Sequence, residues 1–389
     1  MEALTVRVAV GGAAVVGVAF GMARYVYGLT LPDLRAEFGM SELLLGLVAS
    51  GTFVGYLLGL LGAPRLSARR GPRAPTTVGG VCGVAGCAVV AVAPSPSVLA
   101  VGAVLAGSAA GWVWAPYSDI AAAAVPRRDR PAVLAVITTG TSAGLVALAG
   151  LSVLTGAASW RWTWAGIAGA AAVAAVVNLR AVPRLPAHRT DAEGPRASPL
   201  RRAMARPLVY AVLYFAATTV YFTYVSDVAR TGGRGAGVAA LIFALVGAGG
   251  LVGLRTGRIA QAVGAPVVAV VSVGVVGGAL VLLALGRASL LLVLLSAVLF
   301  GVGYMVGSAV LAIWTAQVVA DRPGDGFTVA LVVGALTSIA APAVMGALIP
   351  LVGLPVMLAA VAVVTVSGAL VVAAAPRLRA GLVLGRGHR

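Results

Sequence analysis

At 389 residues, 60% hydrophobic and 10% charged, with a mean hydropathy of +1.04, the chain lies far from soluble domains, which are about 45–50% apolar and 25% charged. That composition excludes a water-soluble globular protein. Apolar runs of about 20 residues recur from end to end and predict membrane-crossing helices, whereas barrel strands would read as alternating segments of about 10 residues. The formal net charge of +17 would suggest nucleic acid as partner of a soluble chain. Here the positions of the arginines matter more than their sum, and no nucleic-acid partner is expected.

Twelve spans follow in chain order: 8–31, 42–62, 74–93, 97–124, 131–155, 160–182, 207–230, 236–256, 265–286, 288–318, 327–350 and 352–375. Arg7 before the first run resembles the basic start of a signal peptide, but the run is longer than the 7–15 or so apolar residues of such a segment, so it is read as a retained helix. Pro32 is read as closing it, with DLRAEFG as the first outside loop. The proline- and arginine-rich stretch after span 6 reads as a linker. The expected organisation is a six-helix bundle over 1–182, a cytoplasmic linker over 183–206, a second six-helix bundle over 207–376 and a basic tail over 377–389.

Basic residues in short loops stay cytoplasmic. With the amino terminus inside, that side collects Arg7, Arg65, Arg69, Arg70, Arg73, Arg127, Arg128, Arg130, Arg255, Arg258, Arg322, the linker arginines and the tail; the other side keeps Arg35, Arg161, Arg230, Arg234 and Arg287. Both termini are therefore expected to be cytoplasmic, in a bacterial-type inner membrane.

An internal repeat supports the division. The loop after span 2, LGAPRLSARRGPRAP, and that after span 8, TGRIAQAVGAP, align with Gly71 on Gly264, 193 residues apart. Within one residue the same offset sets Gly111-Trp112 on Gly303-Tyr304. Two parallel halves are one way secondary transporters are built. Twelve spans, a basic central linker and the paired loops resemble the major facilitator superfamily over essentially the whole chain. Of that family's loop signature, approximately Gly-x-Leu-x-Asp-Arg-x-Gly-Arg, the chain has Leu66, Arg69, Gly71 and Arg73, with Pro64 and Ala68 at the glycine and aspartate positions. The second copy keeps Gly257, Gln261 and Gly264. RYVYGLTLPDLRAEFGMS, GYLLGLLGAPRLSARRG and SWRWTWAGIAG are similar to small permeases of the cyanate-permease-like and related branches. The resemblance implies two pseudo-symmetric six-helix bundles, with helices 1, 4, 7 and 10 around a central cavity.

Arg24 is a permanent cation one to two turns inside the outer end of span 1. Its nearest acid along the helix, Asp33, is about 13 Å away along the axis. Two readings stand: a guanidinium facing the cavity to bind an anion by its bidentate fork, with Tyr27 orienting it, or one that snorkels outward or pairs internally. On span 7, Tyr210, Tyr214, Tyr221 and Tyr224 form one narrow stripe, suited either to a partly wet cavity, chiefly at Tyr214 and Tyr221, or to packing and the interfacial belt. Trp112, Trp114, Tyr117 and Tyr304 fall on expected cavity helices, with Trp112 and Tyr304 favoured by the repeat. Trp160, Arg161, Trp162 and Trp164 read as an aromatic belt with a snorkelling arginine.

Asp119 is expected to bridge to Arg69 or Arg73, as acids there do in the resembling family, in a pair that breaks during alternating access; a proton-carrying role is the alternative. Asp227 is read as solvated or paired with Arg230, otherwise as an outer gate or proton site. Glycine at every fourth place, Gly51, Gly55, Gly59 and Gly249, Gly253, Gly257, favours close helix approach. Span 5 has Gly140 and Gly144 without the proline of the drug-proton antiporter signature. Cys82 and Cys87 diverge by about 140° around a helix and read as packing residues. His188 and His388 lie in polar tails, and neither a metal cluster nor a phosphate-binding loop is present in the sequence, so no enzyme, cofactor or metal is expected.

The expectation is a secondary or facilitative transporter, a monomer with a possible coupling proton. Its favoured substrate is a small anion bound by Arg24, Tyr27, Trp112, Tyr214, Tyr221 and Tyr304, with Asp119, Arg69, Arg73 and Asp227 gating or coupling. The alternatives are efflux of hydrophobic or cationic compounds, and a non-transporting receptor on the same fold.

Overall fold

The computed structural model describes residues 3–156, 159–187, 199–230, 234–287, 289–319 and 323–374. His188, His388, Arg322, the centre of the expected linker and the tail over 377–389 lie outside the described residues. Among the described residues twelve helices are long and apolar enough to cross a membrane. They are α1 (Ala3–Phe38), α2 (Glu42–Arg70), α3 (Arg73–Ala91), α4 (Pro96–Ala124), α5 (Arg130–Thr155), α6 (Trp160–Ala181), α7 (Ala203–Arg230), α8 (Gly237–Val263), α9 (Ala265–Leu285), α10 (Leu290–Val318), α11 (Gly324–Val352) and α12 (Leu354–Ala373). Among the described residues there is no strand.

Within the first six helices, α4 packs on α2 and α3, α6 on α3, and α5 on α1; within the last six, α9 packs on α10 and α12, and α10 on α8. The two sets meet along α2 with α11, α5 with α8, and the second half of α1 with α7. The aligned loop glycines are structural equivalents. Gly71 (φ 81°) ends α2 and Gly264 (φ 91°) ends α8, both in the positive-φ region that disfavours side chains.

Three boundaries depart from the sequence reading, one of them at α8, which runs on past 256 to Val263 so that TGRIAQAV is helix rather than loop. Pro32 does not close α1; it lies inside a helical segment, Val26–Phe38, that ends at Gly39 in the left-handed conformation. DLRAEF is thus helix rather than loop, and it carries Asp33 and Arg35 onto the face that meets α7. A left-handed glycine terminates a helix more firmly than a proline whose missing N–H falls where neighbouring contacts hold the turn. Similarly α2 runs on to Arg70, so Leu66 and Arg69 of the loop signature are helical and only Gly71 turns the chain.

Candidate functional site

The site begins with a break in α1. Its first segment is α-helical to Val16, the turns Gly17–Ala23 are π-helical, and α-helix resumes at Val26. Between them Tyr25 takes φ −113°, ψ −9°, in the sparsely populated bridge region. Such π-turns recur at functional sites. Here the widened turns lie directly on α5, where a β-carbon on Gly144 would come within 2.0 Å of the Gly17 carbonyl oxygen. Directly after the break stand Arg24 and Tyr25.

Both side chains line a central cavity with about 60 Å³ available to the centres of water molecules, room for about five waters. Its wall is formed by Phe20, Arg24 and Tyr25 of α1, Phe53 and Tyr56 of α2, Trp114 of α4, Thr138 and Thr141 of α5, and Tyr214, Phe215, Thr218, Thr219 and Phe222 of α7. Tyr304, Met305 and Ser308 of α10 and Phe327 and Leu331 of α11 complete it. Every helix the family resemblance assigns to a cavity contributes, together with α2, α5 and α11.

The guanidinium of Arg24 is clad in aromatic rings. Its carbon lies 4.4 Å from the ring centre of Tyr56, 4.9 Å from Phe53, 5.5 Å from Phe20 and 5.9 Å from Tyr25. Desolvated cation–π contacts of this kind contribute up to about 2 kcal/mol, but a ring face cannot accept the in-plane hydrogen bonds of a guanidinium. Its buried Nη1 has no hydrogen-bond partner, and Arg24 makes no ion pair among the described residues. Of the two readings of Arg24, the structure places it toward the cavity. Beside it the Tyr25 and Tyr304 hydroxyls meet at 2.5 Å, and the Tyr214 hydroxyl donates to the Tyr304 carbonyl, also at 2.5 Å.

The other expected binding residues divide. Tyr304 and Tyr214 line the cavity. Tyr27 does not orient the guanidinium there: it donates to the Leu45 carbonyl at 2.8 Å, binding α1 to α2. Tyr221 is absent from the cavity wall; its ring stacks on Phe300 at 3.6 Å and its hydroxyl meets Ser296 at 3.0 Å. Tyr210 meets Ser272 and donates to the Gly307 carbonyl, and Tyr224 donates to the Pro342 carbonyl. Most of the stripe therefore packs α7 onto its neighbours, because serines and carbonyls on α9, α10 and α11 satisfy the phenols without water. Trp112 fills the space left by Gly62 and Gly79, while Trp114, about 200° further round α4, reaches the cavity. The repeat relation to Tyr304 thus holds for the backbone and not for the side chain.

Toward the face opposite the chain ends the cavity is closed in layers. Tyr25 stacks on Phe222 at 3.7 Å, and a β-carbon on Gly28 would come within 1.9 Å of the Phe222 carbonyl oxygen, so only glycine fits this crossing. Beyond it Arg35 grips Asp227 with both terminal nitrogens, at 2.6 and 2.7 Å, and also meets Glu42 at 3.1 Å. Arg230 grips Asp33 through two contacts of 2.6 Å. Asp227 is therefore paired with Arg35 rather than with Arg230, four-residue geometry on one helix giving way to two crossed, bidentate pairs between α1 and α7.

At the other face the expected bridge from Asp119 to Arg69 or Arg73 is not formed. Asp119 is exposed and makes no ion pair among the described residues, Arg69 is exposed, and Arg73 donates to the Leu179 carbonyl at 2.6 Å. The aromatic belt also folds inward. Trp160 and Arg161 both donate to Glu37 at 2.6 Å and Trp164 donates to Thr30 at 3.2 Å, leaving Trp162 exposed.

Sequence reading missed Phe20, Tyr25, Phe53, Tyr56 and the cavity threonines. Phe20 precedes Arg24 by four residues and Tyr56 follows Phe53 by three, helical spacings that put each pair on one face. Tyr25 carries no such signal, because only the break in α1 turns adjacent residues 24 and 25 into the same cavity.

The fold has many solved counterparts. The nucleoside transporter NupG superposes with a TM-score of 0.74 at 11% identity, over 96% of this chain and 99% of that one. The E. coli xylose transporter XylE, in a partially occluded inward open conformation, gives 0.76 at 14% identity, over 96% and 100%. In sequence, the profile of the Major Facilitator Superfamily matches residues 13–342. With twelve membrane-length helices around a central cavity and that match over most of its length, the chain belongs to the Major Facilitator Superfamily as a multi-pass membrane protein of the transporter class.

Proposed function

We propose that this protein carries a small anion across the membrane by alternating access, with Arg24 as the group that binds it. One observation carries the reading: a buried guanidinium on the wall of the central cavity, with a free in-plane nitrogen and no carboxylate partner. A charge at this depth costs about 2.5–3.5 kcal/mol on insertion scales, a cost that an incoming carboxylate or inorganic anion would offset through the bidentate fork. Tyr304 and Tyr214 support the site, while Tyr27 and Tyr221 stabilise its surrounding helices.

Gating follows from the two faces. The crossed pairs Arg35–Asp227 and Asp33–Arg230 hold the face opposite the chain ends shut, and the cavity extends the other way to Phe327 and Leu331 near the start of α11. In the opposite state those pairs part and Asp119 closes on Arg69 or Arg73. The two bundles, 1–182 and 207–376, rock about the cavity. The arginine distribution puts the chain ends in the cytoplasm of a bacterial-type cell, so this arrangement faces inward.

A thermal-shift screen of purified protein against small anions, lipophilic cations and sugars tests the reading. Stabilisation by anions, lost in Arg24→Ala, is expected; stabilisation by lipophilic cations alone would instead favour efflux, consistent with the aromatic wall but not with its lack of a carboxylate.

A further inference from the structure

The cavity wall says more about the substrate than its sign of charge. Ten of its eighteen residues are aromatic, and Arg24 is the one charged side chain among them. The hydroxyls add few donors: Thr138 and Thr218 donate to the carbonyls of Leu134 and Tyr214, and Thr219 is paired with Ser338. What faces the cavity is one cation, one spare phenolic proton from the Tyr25–Tyr304 pair, whose two protons share a single mutual hydrogen bond, the hydroxyl-bearing side chains of Tyr56, Thr141 and Ser308, and broad ring surface.

Resting on the anion reading above, we infer that the substrate class is a compact aromatic monocarboxylate: one carboxylate on a single planar ring. The carboxylate takes the free Nη1 of Arg24 and the spare proton of the tyrosine pair. The ring meets Phe53, Trp114 and Phe215, where offset or edge-on contacts favour it over an aliphatic body of equal size. A second carboxylate would have no cation to meet and would be buried unpaired, so dianions are excluded. A sugar would set most of its hydroxyls against ring faces and leave Arg24 without a counter-charge, and a neutral aromatic alcohol would also leave Arg24 unpaired. The space for about five waters suits a single ring rather than a fused polycycle.

The test is calorimetric titration of the purified full-length protein with five probes: acetate, benzoate, cyclohexanecarboxylate, phthalate and benzyl alcohol. The expected order places benzoate at least about tenfold tighter than cyclohexanecarboxylate, both tighter than acetate, with phthalate and benzyl alcohol not binding. Trp114→Leu should weaken benzoate several-fold and leave acetate unchanged, while Arg24→Gln should abolish both. Arg24-dependent binding of acetate and cyclohexanecarboxylate as tight as benzoate would overturn the aromatic inference and leave the anion reading standing. Binding of benzyl alcohol equal to benzoate, or benzoate binding untouched by Arg24→Gln, would overturn both, whereas the failure of all three monocarboxylates to bind a folded, monodisperse protein would overturn the monocarboxylate inference and leave an inorganic anion as the substrate of the anion reading. Tight phthalate binding would overturn the single-charge claim.

Discussion

Neutralising Asp227 should open the face opposite the chain ends. The Asp227 carboxylate is 9% exposed and accepts two charge-assisted hydrogen bonds from Arg35, at 2.6 and 2.7 Å. Bonds to charged groups contribute about 1.5–3 kcal/mol each, but Arg35 is 32% exposed and retains Glu42 after the change, and screening of so accessible a group reduces the net effect. For Asp227→Asn we expect about 1–2 kcal/mol of lost bias toward closure, a change of about 5- to 30-fold in the ratio of closed to open molecules. Pulsed electron paramagnetic resonance between spin labels at Ala36 and Arg287, both exposed at this face, reads that ratio once Cys82 and Cys87 are replaced by alanine. The distance distribution should gain a longer component in Asp227→Asn and a larger one when Asp33→Asn is added. Identical distributions in the parent and both variants would refute the assignment of these pairs as a closing device.

Three further outcomes follow from particular contacts. Gly28→Ala forces a methyl into the Phe222 carbonyl, and the same labels should report an open outer face with transport strongly reduced. Trp114→Leu should alter substrate affinity with little change in melting temperature, whereas Trp112→Leu, which empties the space beside Gly62, should lower the melting temperature and leave affinity intact. Tyr117 donates to the buried Asn178 at 2.6 Å, and Asn178 donates on to Thr76 at 3.0 Å; Tyr117→Phe leaves that amide oxygen unsatisfied at about 1–3 kcal/mol, seen as a melting temperature lower by a few degrees with unchanged affinity.

The twelve spans were legible because hydropathy and length act locally, and Gly71 with Gly264 marked the repeat because a positive φ restricts the residue itself. The break in α1 was not legible: a π-turn arises where α5 presses on Gly17 and Gly21, a tertiary condition with no local pattern. The Arg35–Asp227 pair joins residues 192 apart, and a proline at position 32 reads locally as a helix end, which puts Arg35 in a loop. Arg24 stood out by its chemistry, since a cation amid apolar residues needs explaining at any depth. Its aromatic cladding did not, because Phe53 and Tyr56 read equally well as packing. The choice between Trp112 and Trp114 turned on a notch at Gly62, on another helix.

Uptake by proteoliposomes holding Arg24→Ala, beside the parent and Arg24→Lys, tests the central claim most directly. Removing the cation that pairs with a buried anion costs about 3–5 kcal/mol, more than about a hundredfold in affinity. Anion uptake should therefore be lost in Arg24→Ala and partly kept in Arg24→Lys, with both variants folded and monodisperse. Uptake at the parent rate by folded Arg24→Ala would contradict the account.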